Sequence, residues 1–298
     1  MISNTASPTK LLLFALSVAE LLSPAVWAQS KRITAQQVVE RIQGQVGVPW
    51  KSETVDTFKS GDPKIPVTGI AVTMMATLDV LQRAAASGHN LVITHEPTFY
   101  SHEDDPKELP QHENDAVLAA KRRFIAEHGL VIWRFHDHWH DRKPDGIEIG
   151  MVHALGWDKY QDPRNQYVFS IPESTLKDLA TEIAHKLQIK TLRVVGDPNA
   201  KIRRLALSPG ASGFANETGA LEMSDIQLLV LGETREWETV EYVADAITEG
   251  KQKALIILGH IPSEQSGMEE CTRWLKTFIN EVPVDFVPAR NPFWAPQL

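Results

Sequence analysis

Short apolar runs alternate with helical patterns along most of this chain, and this alternation constrains its fold more than any other feature. The apolar runs have the length and continuity of strands that are buried on both faces. They lie at residues 67–72, 90–94, 131–135, 167–171, 191–195, 202–207, 226–231 and 254–258. Apolar residues at helical spacing lie at residues 33–46, 77–86, 115–128, 174–187, 237–249 and 267–280. Such an alternation predicts an α/β fold with mixed, largely parallel sheets.

The two halves of the chain follow a similar strand–helix–strand order, and each half ends in a site that contains His and Glu. We therefore predict two related α/β lobes that pack as one unit. The first lobe covers residues 29–160 and the second covers residues 161–298, after an N-terminal segment of residues 1–28.

The N-terminal segment differs in character from the rest of the chain. Lys10 precedes an apolar run over residues 11–28 that only Glu20 interrupts, and small residues stand before the end of the run. This pattern is typical of a secretory signal peptide that is cleaved after Ala28. The alternative is an N-terminal membrane anchor, but the run is barely long enough and carries a glutamate. We predict an exported protein, periplasmic or secreted.

The mature chain is acidic and contains one cysteine, Cys271. The removed segment holds one Lys and one Glu, so the formal net charge stays at −8. This charge argues against nucleic-acid binding and gives no support for binding to anionic membranes. A single cysteine excludes an intramolecular disulfide framework. No second run is long enough to span a bilayer, so we expect no membrane association after cleavage and a small molecule as the partner.

A polar cluster directly follows the apolar run at residues 131–135. His136, His138 and His140 are interleaved there with Asp137 and Asp141. If the strand continues, its alternation places the three histidines on one face and the two aspartates on the other. Imidazole nitrogens and carboxylate oxygens together are ligands for a divalent transition metal. The sequence leaves open which of the five residues bind it.

Two further polar positions also follow buried strands. His95 and Glu96 can face different directions at a strand end, so each can bind one of two metals. His260 and Glu264 are four residues apart and share one face if the chain turns into a helix there. Glu233 follows another strand, either beside the site or as a helix N-terminal charge. Residues at the carboxyl ends of strands converge in α/β sheets, which predicts one shared site.

These positions, in this order, resemble the dinuclear-metal family named for the Ngg-one-interacting factor three, whose members are often named GTP cyclohydrolase I type 2. The resemblance covers nearly the whole mature chain and rests on residues 93–97, 131–150, 210–213, 232–233, 259–264 and 291–293. It implies two α/β lobes with sheets that face a shared metal-binding cleft, and two metals per chain. It also implies a toroidal homo-oligomer built from dimers, such as a hexamer.

The chain departs from the pattern of this family at its first motif. The family usually has His-His-Pro where this chain has His95, Glu96 and proline, so the second ligand becomes a carboxylate. A carboxylate favours harder metals, which leaves Zn, Mn or Fe. The last motif of the family matches directly, as His260 and Glu264.

The central motif of the family is His-x-x-x-Asp, and two alignments fit this chain. One makes Asp141 the carboxylate ligand and places Asp137 where the family has histidine. The other starts at His136 and places His140 where the family has its carboxylate. Both alignments stay open at the level of sequence.

We therefore predict a metal-dependent, dinuclear hydrolase of a phosphoester or of a nucleotide-like, heterocyclic small molecule. Glu96 or Asp137 would act as the general base on a water that the metals acidify. The predicted ligands are His95, Glu96, His136, His140, Asp141, His260 and Glu264. One alternative is a non-catalytic exported metal-binding or scaffold protein. A lesser one is a metallo-β-lactamase-type hydrolase, whose His-x-His-x-Asp-His motif residues 136–141 approach with the last two letters reversed.

Overall fold

The structure is a computed structural model that describes residues 1–2, 33–105, 107 and 114–296. Residues 32–298 form one compact unit. The predicted signal peptide lies outside the described residues except for its first two, so cleavage and export stay predictions. In the described part of the chain, no helix is both long enough and apolar enough to span a membrane.

The six predicted helices are present with shifted ends, and the described residues contain three more. The helices are α1 Ala35–Gln45, α2 Leu78–Ala86, α3 Ala116–Glu127, α4 Asp137–Asp141, α5 Gly146–Leu155, α6 Leu176–Lys186, α7 Phe214–Glu222, α8 Glu241–Thr248 and α9 His260–Leu275. A π-helical turn, Glu236–Val240, precedes α8. Side-chain caps such as Thr34, which accepts from the N–H of Gln37, show why several helices begin where they do.

Helices α5 and α9 pack closely, and this packing explains why the sequence did not reveal α5. A Cβ atom on Gly150 would lie 2.3 Å from the carbonyl oxygen of Ser266, and one on Gly267 would lie 2.4 Å from Cα of Ile147. Helix α5 is buried on most sides, so its sequence lacks an apolar stripe. Its helical state depends on this contact, which sequence spacing does not show.

The strands form two mixed sheets within the described residues, which confirms the predicted α/β class. The strands are β1 Phe58–Ser60, β2 Ile70–Thr73, β3 Leu91–Thr94, β4 Val131–Arg134, β5 Gln161–Asp162, β6 Asn165–Thr175, β7 Arg193–Val195, β8 Lys201–Ser208, β9 Leu228–Leu231, β10 Ala254–Ile257 and β11 Val284–Phe286. The first sheet has the order β1-β4-β3-β2-β11 and the second has β5-β6-β8-β9-β10-β7. The inner pairs β2–β3, β3–β4, β8–β9 and β9–β10 are parallel.

The end of the chain returns to the first sheet. Strand β11 pairs in parallel with β2, and residues of α9 such as Met268 and Cys271 belong to the core of the first sheet. The second sheet begins at Gln161, next to the predicted lobe boundary, and that boundary itself stays a prediction. Helix α9 therefore carries side chains from the second half of the chain to the strand ends of the first sheet.

Candidate metal centre

His95 and Glu96 leave the buried strand β3 at its carboxyl end. The backbone N–H of His95 donates to Thr73 and that of Glu96 donates to Met74, which fixes both residues against β2. The imidazole of His95 is fully buried, and its Nδ1 donates to the carbonyl oxygen of Phe135 at 3.1 Å. In the neutral imidazole, which burial favours, Nε2 is then the unprotonated nitrogen, and it is buried without a hydrogen-bond partner among the described residues.

His136 and His140 occupy one helical turn, not a continued strand. The expectation that the three central histidines share a strand face was wrong, because α4 begins at Asp137. Residues four apart in a helical turn share a face, so His136 and His140 point together and His138 does not. The ring centroids of His95 and His136 lie 4.5 Å apart, and those of His95 and His140 lie 5.0 Å apart. Ligand atoms of these three histidines all lie within 4.8 Å of one another.

Both histidines of this turn have their outer nitrogen hydrogen-bonded to a carboxylate. Nδ1 of His136 lies 2.9 Å from Asp137 Oδ1, and Nδ1 of His140 lies 2.9 Å from Asp145 Oδ2. With an acceptor at Nδ1, each ring presents Nε2 to the site, as metal-binding imidazoles do.

Helix α9 supplies the other side of the site. Gly259 has a φ of 93°, which lets the chain turn from β10 into the helix, and His260 and Glu264 follow one turn apart. Glu264 Oε2 lies 3.6 Å from Nε2 of His95 and 3.1 Å from Nε2 of His260. His260 Nε2 also lies 3.3 Å from Glu96 Oε1. His95, Glu96 and Glu264 form a second group whose ligand atoms lie within 4.8 Å of one another.

The pKa values of these groups separate the site into two halves. Burial, followed by the neighbouring His136 and His140, lowers the pKa of His95 well below its ordinary value. Burial also opposes the charge on His260, but Glu233, Glu264 and Glu96 together raise its pKa to about 12. Burial also lowers the pKa of His136, whereas burial opposes the charge on His140 and Asp145 nevertheless raises its pKa. The second group is anionic apart from the proton of His260.

A divalent metal fits this arrangement. The buried Oε2 of Glu264, like Nε2 of His95, has no well-directed hydrogen bond within the described residues. Nε2 of His95 is a buried acceptor without a partner, which is costly, and Oε2 of Glu264 has only its ion pair with His260. A cation between these imidazole and carboxylate groups would satisfy both atoms. Gly210 permits the position of Glu264, because a Cβ there would lie 2.1 Å from Glu264 Oε1.

The remaining predicted residues lie elsewhere. Asp141 is in neither group of the described chain and pairs with Lys51 at 2.6 Å. The structure therefore favours the alignment that places His140 where the family has its carboxylate. Both nitrogens of the buried His138 are engaged, Nδ1 with Asp56 at 2.6 Å and Nε2 with the backbone N–H of Lys51 at 2.9 Å. The metallo-β-lactamase alternative, which needs His138 as a ligand, is not supported.

Three residues that hold the site together were not predicted from the sequence. Arg134 is fully buried, donates from Nε to the carbonyl oxygen of His95 at 3.0 Å, and lies 3.6 Å from Glu96 Oε2. Asp145 caps α5 and orients His140, and an aspartate before an apolar helix was a usable signal. Asp56 lies in a polar loop that carries no such signal.

Two mixed sheets and a cluster of His and Glu side chains at their strand ends define a two-sheet α/β protein with a candidate metal-binding site. The model of the Duf34/NIF3 (NGG1p interacting factor 3) family matches residues 54–292, so the chain belongs to this family. The resemblance seen in the sequence is thereby confirmed.

Comparison with individual proteins supports the family assignment. The chain is 24% identical over 250 residues to a GTP cyclohydrolase 1 type 2 homolog of Clostridium perfringens, covering 78% of this chain and 88% of that protein. The homolog of Clostridium acetobutylicum is 23% identical over 237 residues, covering 76% and 82%. A hypothetical protein of Staphylococcus aureus superposes with a TM-score of 0.70 at 19% identity, covering 89% of this chain and 100% of that one. A Bacillus cereus protein related to NIF3 gives 0.68 at 13%, with the same coverage. At such identities the two structures support the fold.

Proposed function

We propose that this chain is a metal-dependent hydrolase that acts on a phosphoester or on a nucleotide-like, heterocyclic small molecule, with two divalent metals per chain. The observation that best supports a metal site is the pair of overlapping ligand groups around His95. Its free Nε2 can bind only one metal, so the second metal of the proposal rests on the resemblance to the family. His136 and His140 complete one group, and Glu96 and Glu264 complete the other. His260 contacts the second group, because its Nε2 lies close to the carboxylates of both Glu96 and Glu264.

The protein's own residues prepare these ligands. Nδ1 of His95 donates to the carbonyl oxygen of Phe135, and Nδ1 of His136 and of His140 donate to the carboxylates of Asp137 and Asp145. Nε2 of each histidine therefore stays available. A bound divalent metal would polarise an oxygen of the substrate and acidify a water molecule. The side chains of His136, His140 and His260 are 22%, 30% and 18% exposed, which leaves a path for a small molecule.

Glu96 serves this site better as a ligand than as a general base. Burial opposes its ionisation, but the hydrogen bond to His260 and nearby positive charges lower the pKa of Glu96 to about 2. A general base works best with a pKa near the operating pH. Burial likewise opposes ionisation of Asp137, whose pKa is lowered to about 2 by bonds from His136, Thr54 and Val55. We propose that Asp137 orients His136.

A metal count and a substrate screen on the mature chain test the proposal. We expect about two metals per chain and a loss of metal in both His95→Ala and His260→Ala, because the two histidines contribute to one site. The screen includes an aryl phosphate, an aryl phosphodiester and GTP, the last because the clostridial relatives are named GTP cyclohydrolase 1 type 2 homologs. Chelator-sensitive turnover above that of the free metal supports a hydrolase. Tight metal without turnover indicates a metal-binding or scaffold protein, and a folded chain without metal refutes the proposal.

Export and assembly are further parts of this proposal. We propose that residues 1–28 are removed on export and that the mature chain forms a homo-oligomer built from dimers. The acidic net charge of −8 supports a small-molecule partner over nucleic acid. Mass spectrometry of the exported chain and light scattering of the purified protein test the two statements. A mass that includes residues 1–28, or a monomer, would contradict them.

A further inference from the structure

A loop outside the ligand groups, residues 50–56, contacts the turn that carries His136 and His140. Asp56 accepts four hydrogen bonds there. Its Oδ1 accepts from the backbone N–H of His136 at 2.6 Å and of Asp137 at 3.0 Å. Its Oδ2 accepts from the backbone N–H of His138 at 2.9 Å and lies 2.6 Å from the imidazole Nδ1 of His138. One carboxylate thus binds three consecutive amides that the start of α4 leaves without helical partners.

His138 joins this loop to the turn a second time. Its ring stacks on Trp50 with the centroids 3.6 Å apart and the planes 1° from parallel. Its Nε2 accepts from the backbone N–H of Lys51, so the proton lies on Nδ1 and points to Asp56. This histidine is therefore a neutral bridge between loop and turn.

The same loop also fixes the orientation of His136. The hydroxyl of Thr54 and the backbone N–H of Val55 donate to Asp137 Oδ2 at 2.8 Å and 3.2 Å. The other oxygen, Oδ1, lies 2.9 Å from Nδ1 of His136. The loop holds Asp137, and Asp137 in turn holds the imidazole.

The sheet determines where Asp56 stands. Strand β1 pairs antiparallel with β4, with Phe58 opposite Trp133, and the N–H of Arg134 donates to Thr57. Asp56 therefore lies beside the carboxyl end of β4. Its side chain is fully buried, and a carboxylate in such a place is stable only when donors surround it. Four donors at one buried carboxylate make a rigid support for the turn.

We propose that Asp56 is a positioning residue, which sets the direction of the His136 and His140 imidazoles toward the metal. The inference rests on the proposed metal centre. Residues that orient metal-binding imidazoles typically change metal affinity by about 10–100-fold when they are replaced.

The test is Zn²⁺ affinity, measured by competition with a chromogenic chelator. Asp56→Asn keeps the size of the side chain but turns one acceptor into a donor that faces backbone N–H groups. We expect its affinity for Zn²⁺ to fall by about 10–100-fold. Asp285→Asn is the matched control, because Asp285 also accepts from a buried imidazole, Nε2 of His89 at 2.9 Å. That pair lies at the start of β3, away from the site, so we expect wild-type affinity.

A second variant covers the case in which Asp56→Asn does not fold. Thr54→Val removes one donor to Asp137 at a partly exposed position, and we expect a smaller but measurable loss of affinity. Nitrogen NMR of the His138 ring adds a readout without metal. The proton on Nδ1 should be observed in wild type, and in Asp56→Asn it should exchange with water. If the wild-type protein binds no Zn²⁺, both the proposed metal centre and this inference are refuted. If wild type binds and the folded variants bind equally well, only the inference fails.

Discussion

His95 Nε2 and Glu264 Oε2 lie 3.6 Å apart in the interior, one carried by a strand end of the first sheet and the other by α9. Neither atom has a well-directed hydrogen bond within the described residues. Glu264 Oε2 has an ion pair with His260 at 3.1 Å, but Nε2 of His95 has no partner, which is costly for a purely structural contact. The relation is the reason to treat the site as a binding site, and the first prediction follows from it.

Glu264→Gln should reduce metal affinity by at least about tenfold, since it removes the charge of one proposed ligand and keeps its shape. Elemental analysis after dialysis measures the bound metal. Glu269→Gln, on the same helix but exposed and paired with Arg273, is the matched control and should keep wild-type metal content. Equal metal in the two variants would remove Glu264 from the ligand set.

Gly210→Ala should displace the carboxylate of Glu264. The new Cβ would lie 2.1 Å from Glu264 Oε1, and the φ of 67° disfavours any side chain. We expect a loss of about 2–4 kcal/mol in the free energy of unfolding, together with reduced metal content.

Gly213→Ala separates the effect of the contact with Glu264 from the effect of backbone strain. It has a φ of 82°, but its Cβ would meet no described atom within 4 Å. Only backbone strain remains, so we expect about 1–2 kcal/mol and normal metal content. Urea denaturation measures both variants, and equal losses with equal metal would show that the contact with Glu264 has no effect.

Arg134 gives a prediction about the support of Glu96. Arg134→Met removes the donor to the carbonyl of His95 and one of the two cations beside the buried Glu96, so that only His260 remains there. Breaking one partner of a buried pair typically costs about 3–5 kcal/mol. Arg134→Lys keeps the charge but lacks the fork that reaches both groups, so it should recover only part of the loss. Chemical denaturation of the three proteins tests this order, and full recovery by lysine would contradict it.

Much of this candidate site was visible in the sequence because its proposed ligands directly follow buried strands. Runs such as β3 and β10 are apolar and short, and the polar residues after them stand out. The central turn was less visible, since α4 depends on the tertiary contact with Asp56 and has no local signal. Helix α9 begins at His260, ahead of the helix predicted over residues 267–280, and this early start places His260 and Glu264 one turn apart. Local patterns therefore locate the proposed ligands, and distant contacts determine which way their side chains point.

Glu148 provides a prediction about pH that does not depend on metal. Burial and then the nearby Asp145 raise the pKa of this carboxyl to about 8, although Gln161 donates to it at 3.4 Å. Its Oε2 has no hydrogen-bond partner within the described chain, so no donor stabilises the charged form at that oxygen. Below pH 4.5, the ordinary pKa of the group, folded and unfolded chains both hold this proton.

Between pH 4.5 and about 8, the unfolded chain releases the proton and the folded chain keeps it. The folded state then binds more protons, so the contribution of Glu148 to stability falls as the pH rises through this window. Glu148→Gln removes that dependence. We expect it to match wild type near pH 4.5 and to exceed it by about 1–2 kcal/mol near pH 8, after allowance for solvent screening. Denaturation at both pH values measures the difference, and the exposed Glu53→Gln is the control. A variant that gains nothing at the higher pH would show that the folded protein carries Glu148 ionised.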